Sequence, residues 1–202
     1  MASAWDMKQD INDLPLLWKT ELRWVDAVIK HFPLFLADHA ANERKAAASS
    51  MEFVVRYPDR VSLVITASRI AQEEISHFRK VFGRMRKLHI PLQPDEKDLY
   101  VGKLLQNIRS KSDERLLDRL LISSIIEIRG IERFSMLSKH HPEVEWRKFY
   151  NELAASEYGH GLAFYFEAQK IFSKELVEKR FKEFLELEAE AIRSTPLTWR
   201  FH

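Results

Sequence analysis

The chain contains no cysteine. Disulfides, thiolate zinc sites, iron–sulfur centres and cysteine nucleophiles are therefore excluded, and any metal must be held by His, Asp or Glu. Glycine is scarce, with five residues in 202. Alternation of β-branched residues is rare, and apolar residues recur instead at intervals of three and four, the period of helices with one buried face. No apolar run is long enough to span a bilayer. Met1 to Asp13 lacks a basic start followed by an apolar stretch, so no signal peptide is expected. Neither sign of charge dominates: a net charge of +2 permits an anionic partner such as RNA without requiring one. With 46% hydrophobic residues, 202 positions suffice for one substantial core. The expectation is a single all-α domain over residues 1–202, without membrane segments, in the cytoplasm.

The spacing of apolar residues and of proline predicts seven helices. The first runs from about Leu14 to Lys30, the second from Pro33 to Tyr57 and the third from Asp59 to Leu88, with Pro33 suited to a first turn and Pro58 stopping the second. A shorter helix is expected within Pro94 to Ser110. Then come long helices from Ser112 to Lys139 and from Glu143 to Phe172, separated by His140-His141-Pro142. A last helix, Ser173 to Arg193, has a strongly charged face that would lie across the outside of a bundle, leaving an aromatic tail at Trp199 and Phe201.

Glu-x-x-His occurs twice, at Glu74–His77 and Glu157–His160. Residues three apart share a helix face, so each pair can bind one ion. Two such helices, plus one Glu from each of two partners, form the di-iron site of ferritin-like bundles. Chance placement alone would produce about one such motif in a chain of this composition, so the motif is weak by itself. Spacing is more specific. Glu43 stands 15 residues before Pro58 and Glu74 stands 16 after it, while Glu127 and Glu157 stand 15 before and 15 after Pro142. In an antiparallel hairpin, residues equally far from the turn share a level, here about 22 Å along the axis. The candidate ligands are thus Glu43, Glu74, His77, Glu127, Glu157 and His160.

Glu132 competes with Glu127, because Glu132-Arg133 repeats the pattern of Glu43-Arg44; its height, five residues nearer the turn, favours Glu127, and the choice stays open. Four carboxylates and two neutral imidazoles match two divalent ions in charge. Iron or manganese suits this mixed set, and the residues do not choose between them. His39 and His140-His141 are read as structural or exposed. The basic stretch Arg79, Lys80, Arg84, Arg86 and Lys87 could follow phosphates, although cations also favour a helix C-terminus. Ala40, Ala46, Ala47 and Gly130 could leave room for oxygen or a substrate group beside the ligands, with Phe78, Ile131, Phe134 and Phe164 as candidate lining.

The segments Asp38-His39-Ala40-Ala41-Asn42-Glu43-Arg44-Lys45-Ala46 and Ile126-Glu127-Ile128-Arg129-Gly130-Ile131-Glu132-Arg133-Phe134, with the two Glu-x-x-His helices, resemble bacterial tRNA hydroxylases acting on 2-methylthio-N6-isopentenyladenosine. The resemblance covers about residues 10–195. It implies a non-haem di-iron monooxygenase that uses molecular oxygen to hydroxylate the isopentenyl group beside the anticodon, with the six residues above as iron ligands. Likeness to ferritin-like proteins further implies that Glu74 and Glu157 bridge the ions while Glu43 and Glu127 bind terminally. The family segment carries Ala and Cys where this chain has Ile128 and Ile131. The implied partners are the anticodon arm of tRNA and, with no cysteine relay in the chain, an external reductase. A monomer or small homo-oligomer is expected. The same six ligands would also serve a quinone hydroxylase or a peroxide reductase, and iron storage would instead require a hollow multimeric shell.

Overall fold

The computed structural model describes residues 14–201; Met1 to Asp13, where the absence of a signal peptide was expected, and His202 lie outside them. The helices are α1 (Arg23–Lys30), α2 (Phe32–Arg56), α3 (Val61–Lys87), α4 (Leu99–Leu105), α5 (Ser112–His140), α6 (Val144–Ile171) and α7 (Lys174–Ser194). No strand occurs among the described residues, and no described helix is long and apolar enough to cross a membrane. Pro33 lies in the first turn of α2, where its missing N–H costs no helical bond. Pro58 and Pro142 fall in the two short turns, as their incompatibility with helix interiors requires.

Helices α2/α3 and α5/α6 form two antiparallel hairpins that pack into a ferritin-like four-helix bundle, flanked by α1, α4 and α7. The hairpins are opposed, with their turns at opposite ends. Phe32 at the start of α2 packs its ring 4.7 Å from both His141 and Trp146 at the α5/α6 turn. Phe53, near the end of α2, instead meets Phe164 of α6 at 5.5 Å and Arg119 of α5 at 5.0 Å. Fifteen residues from either turn is close to mid-helix, so both sets of candidate ligands reach the same middle level despite this inversion.

The interior is layered accordingly. Phe53, Leu63, Ile70, Leu121, Ile125 and Phe164 belong to one apolar cluster, and Phe35, Val81, Met85, Phe134, Leu137 and Tyr150 belong to another. Each large side chain buried there stabilises the fold by about 1.5–3 kcal/mol. Between them lies a polar layer holding Glu43, Glu74, His77, Glu157 and His160, all buried.

Two expected helices are shorter than the sequence suggested. The first begins at Arg23 rather than Leu14. The Thr20 N–H is committed to the Glu132 carboxylate at 3.0 Å, and the Trp18 carbonyl accepts from Arg129 at 2.8 Å, so tertiary partners replace helical ones. The fourth spans only Leu99–Leu105, because Pro91 and Pro94 keep the preceding chain irregular and Asp98 caps the start by accepting from the Val101 N–H at 2.9 Å. Helix α7 lies outside the bundle as expected, pinned where Arg180 and Arg109 converge on the buried Asp118 at 2.8 and 2.7 Å. The aromatic tail is no loose end: the Phe201 ring stacks on Phe134 at 4.6 Å and its N–H donates to Asp38 at 2.8 Å.

Candidate metal centre

Each helix of the bundle contributes to the polar layer: α2 brings Glu43, α3 Glu74 and His77, α5 Glu127, and α6 Glu157 and His160. Their donor atoms fall into two groups, Glu43 with Glu74, His77 and Glu157, and Glu74 with Glu127, Glu157 and His160; within each group the donors lie within 4.8 Å of one another. Glu74 and Glu157 belong to both groups. Donors sharing one divalent ion, with bonds of about 2.0–2.2 Å, lie at most about 4.4 Å apart, so small side-chain rotations close either set.

Nδ1 of His77 is 2.7 Å from Glu157 Oε1, and Nδ1 of His160 is 2.7 Å from Glu74 Oε1 and from Glu157 Oε2. Yet Glu74 Oε1, His77 Nδ1 and Glu157 Oε1 are buried without a hydrogen bond. Buried polar atoms are nearly always paired. Although His160 Nδ1 is hydrogen-bonded to Glu157 Oε2, these three donor atoms gather around common points without being bonded to one another, an arrangement that fits two ions.

The electrostatics agree. Burial drives the carboxyls of Glu43, Glu74 and Glu127 above their usual range, and neighbouring carboxylates add to this, Glu157 for Glu43, Glu43 for Glu74, and Glu74 with Glu157 for Glu127. For the histidines, burial opposes the charged form, but the carboxylates around Nδ1 outweigh it and push His77 up to about 12 and His160 up to about 11. The layer thus demands positive charge, which two divalent cations would supply.

Glu132 stands elsewhere. Five residues past Glu127 is a rotation of about 140° around the helix, and its carboxylate accepts from Thr20 Oγ1 at 2.7 Å and from Arg129, which also grips Glu188 at 2.6 Å. Glu132 therefore belongs to an ion-paired brace, through Arg129, between α5, α7 and the segment before α1.

Three supporting residues escaped the sequence reading. His39, expected to be structural or exposed, is fully buried with Nε2 2.6 Å from Glu43 Oε1; its signal is the i, i+4 spacing to Glu43. Burial lowers its pKa to about 3, so it is a neutral partner. Glu73 meets His160 Nε2 at 2.5 Å, and Ser156 meets His77 Nε2 at 3.0 Å. In each motif, the residue just before the Glu braces the histidine of the other motif, leaving Nδ1 to the centre. Only the comparison of Glu73-Glu74 with Ser156-Glu157 could have signalled this. Of the expected lining residues, Phe134 and Phe164 face cavities beside the centre. Phe78 stacks on Phe82 instead, and Ile131 is buried in the cluster with Ile128. Ala46 and Gly130 border the inner cavity, and at Gly130 an added Cβ would meet the Phe201 ring at 3.3 Å.

Four long helices with two carboxylate–histidine groups buried at mid-height define a ferritin-like protein able to hold metal between its helices. The family described as tRNA-(MS[2]IO[6]A)-hydroxylase (MiaE) matches residues 9–202, and the chain belongs to it. Two curated relatives bear the name tRNA 2-(methylsulfanyl)-N(6)-isopentenyladenosine(37) hydroxylase. That of Pseudomonas putida is 32% identical over 137 residues, covering 68% of this chain and 66% of the relative. That of Salmonella typhimurium is 33% identical over 144 residues, covering 71% of this chain and 50% of the relative. Among solved structures, "Protein 43 with aldehyde deformylating oxygenase activity from Synechococcus" superposes with a TM-score of 0.88 at 30% identity, covering 93% of this chain and 94% of that one.

Proposed function

We propose that this chain is an oxygen-dependent di-iron monooxygenase that hydroxylates the isopentenyl group of 2-methylthio-N6-isopentenyladenosine in tRNA. The observation that carries the reading is the pair of carboxylate–histidine groups sharing Glu74 and Glu157 in a chain of this family. Glu43 and His77 would hold one iron, Glu127 and His160 the other, with Glu74 and Glu157 between them. Bound there, the irons supply the redox chemistry that cleaves molecular oxygen and oxidises a carbon–hydrogen bond. The balance is one C–H bond, one O2, two electrons and two protons giving one C–OH and one water. The electrons come from an external donor.

The residues around the centre do the remaining work. His39, Glu73 and Ser156 fix the orientation of Glu43, His160 and His77, as partners behind metal ligands do. Phe134, Phe164 and Phe201 keep bulk water from the oxidising site. Arg79, Lys80, Arg86 and Lys87 are exposed and pair with no carboxylate among the described residues. They offer phosphate contacts to the anticodon arm, so binding weakens as salt rises. The modified base must leave its stack to bring the prenyl chain inward.

The test is to digest tRNA from cells with and without the protein and compare nucleosides by mass spectrometry. One added oxygen on the prenylated adenosine, dependent on the protein, is the expected result, and an unchanged profile refutes the reading. A second reading, oxygen-dependent conversion of an aldehyde, is favoured by the Synechococcus structure alone; aldehyde loss without tRNA hydroxylation would select it.

A further inference from the structure

Resting on the tRNA-hydroxylation reading, the geometry points to the cleft between α2 and α5, behind α4, as the entrance for the prenyl chain, with Ala46, Val101 and Ser123 limiting the size of the group admitted. Two cavities meet there. The outer one, about 130 Å³, is bordered by Ala46, Ser50, Val101, Ser123, Ile126 and Phe164. The inner one, about 30 Å³, reaches Glu43, Glu74, Glu127 and Glu157. Asn42, Ala46, Ile126 and Glu127 border both, so the two adjoin and only these side chains stand between them. Of the six candidate ligands, only Glu127 is half-buried rather than buried, and it is the one that faces the outer space.

Size identifies the occupant. An apolar cavity of about 150 Å³ takes up a benzene ring, and one of about 10–15 Å³ is the least that holds a water molecule. The outer cavity therefore accommodates a branched five-carbon group but not a purine with its ribose, while the inner one has room for a single small molecule such as oxygen. The prenyl chain would reach Glu127 with the adenine held at the rim, where Lys45 and Asp98 stand and Ser49 is exposed.

Two larger cavities lead elsewhere. The one of about 470 Å³, bordered by Trp18, Trp24 and Arg133, touches none of the six ligands. Phe201 lies between it and the centre, its carbonyl accepting from Arg133 and its ring covering Gly130. The one of about 250 Å³ beside Trp199 and Pro94 also reaches no ligand.

The experiment uses the full, iron-loaded chain with Ala46→Leu, Ser123→Leu and Ser49→Trp. It follows hydroxylation of prenylated tRNA, iron per chain, and oxygen consumption with a chemical reductant in the absence of tRNA. Ala46→Leu and Ser123→Leu each put an isobutyl group into the cleft and should lower kcat/KM at least about tenfold; for Ser123→Leu, which borders the outer cavity and not the inner one, iron content and tRNA-independent oxygen consumption should stay within about twofold of wild type. Iron-loaded variants that hydroxylate at the wild-type rate overturn the entrance. Should either leucine disturb folding or iron loading, Ser49→Trp decides. It lies on the exposed rim, and there too a tenfold loss is expected and an unchanged rate is refuting. A wild-type chain that never oxidises the prenyl group fails differently, removing the tRNA reading and the occupant with it.

Discussion

Glu127→Ala and Glu132→Ala should separate metal binding from folding, because the two carboxylates occupy opposite environments on one helix. Glu132 accepts from the Thr20 N–H at 3.0 Å, the Thr20 hydroxyl at 2.7 Å and the Arg129 guanidinium. Removing one partner of a buried ion pair costs about 3–5 kcal/mol. Arg129 keeps Glu188 at 2.6 Å, which places Glu132→Ala at the lower end, about 3 kcal/mol. In a domain of this size each kcal/mol lowers Tm by about 2–4 °C, so a fall of about 6–12 °C is expected. Iron content should stay near that of wild type. Glu127, by contrast, is a carboxyl driven well above its usual range by burial and by Glu74 and Glu157. Its removal should leave the metal-free protein at least as stable while reducing iron retained after dialysis. Thermal melts of metal-free samples and iron analysis of reconstituted ones read both effects. Iron loss in Glu132→Ala with an unchanged metal-free Tm would refute the assignment.

Three further outcomes follow from the surroundings of the centre. Glu73→Gln removes the charge behind His160 Nε2 and should weaken metal affinity about 10–100-fold, whereas Ser156→Ala removes only a hydroxyl behind His77 and should have a smaller effect; metal titrations compare them directly. His39→Ala, which deletes the partner of Glu43 Oε1, should lower iron retention without changing the helical circular dichroism; full retention would show that Glu43 is held by other means. Loading ions at pH 7 should release protons, since His77 and His160 are raised to about 12 and 11 in the metal-free protein but must be neutral to ligate. The same raised values mean that their stabilisation of the metal-free fold is complete below about pH 6.5, declines progressively as pH rises above that, and is lost once pH has passed through 11 to 12. A pH-stat titration showing no proton release would contradict this.

The four long helices were legible because each carries a sustained 3.6-residue pattern bounded by proline, as at Pro33, Pro58 and Pro142. Their mid-level Glu and His residues could be paired by distance from the turns, and that pairing works for hairpins whose turns lie at opposite ends because the level is central. The segment from Leu14 to Leu22 misled for a physical reason: its apolar spacing is real, with Leu14 and Leu16 buried, but its backbone is claimed by Glu132 and Arg129 across more than a hundred residues. Such long-range partners leave no local pattern. His39, Glu73 and Ser156 were passed over for a related reason, since each supports a ligand through one hydrogen bond rather than through a recurring motif. Phe201 returns to the centre only by tertiary packing, which a terminal aromatic residue cannot announce.

The most direct measurement supplies the purified, iron-loaded chain with an electron donor, prenylated tRNA and 18O-labelled molecular oxygen, then weighs the released nucleoside. One labelled oxygen atom on the isopentenyl group, absent when Glu127 is replaced by Ala, is expected. An unmodified nucleoside from an iron-loaded sample, or a hydroxyl oxygen drawn from water, would contradict an oxygen-dependent hydroxylase at this centre.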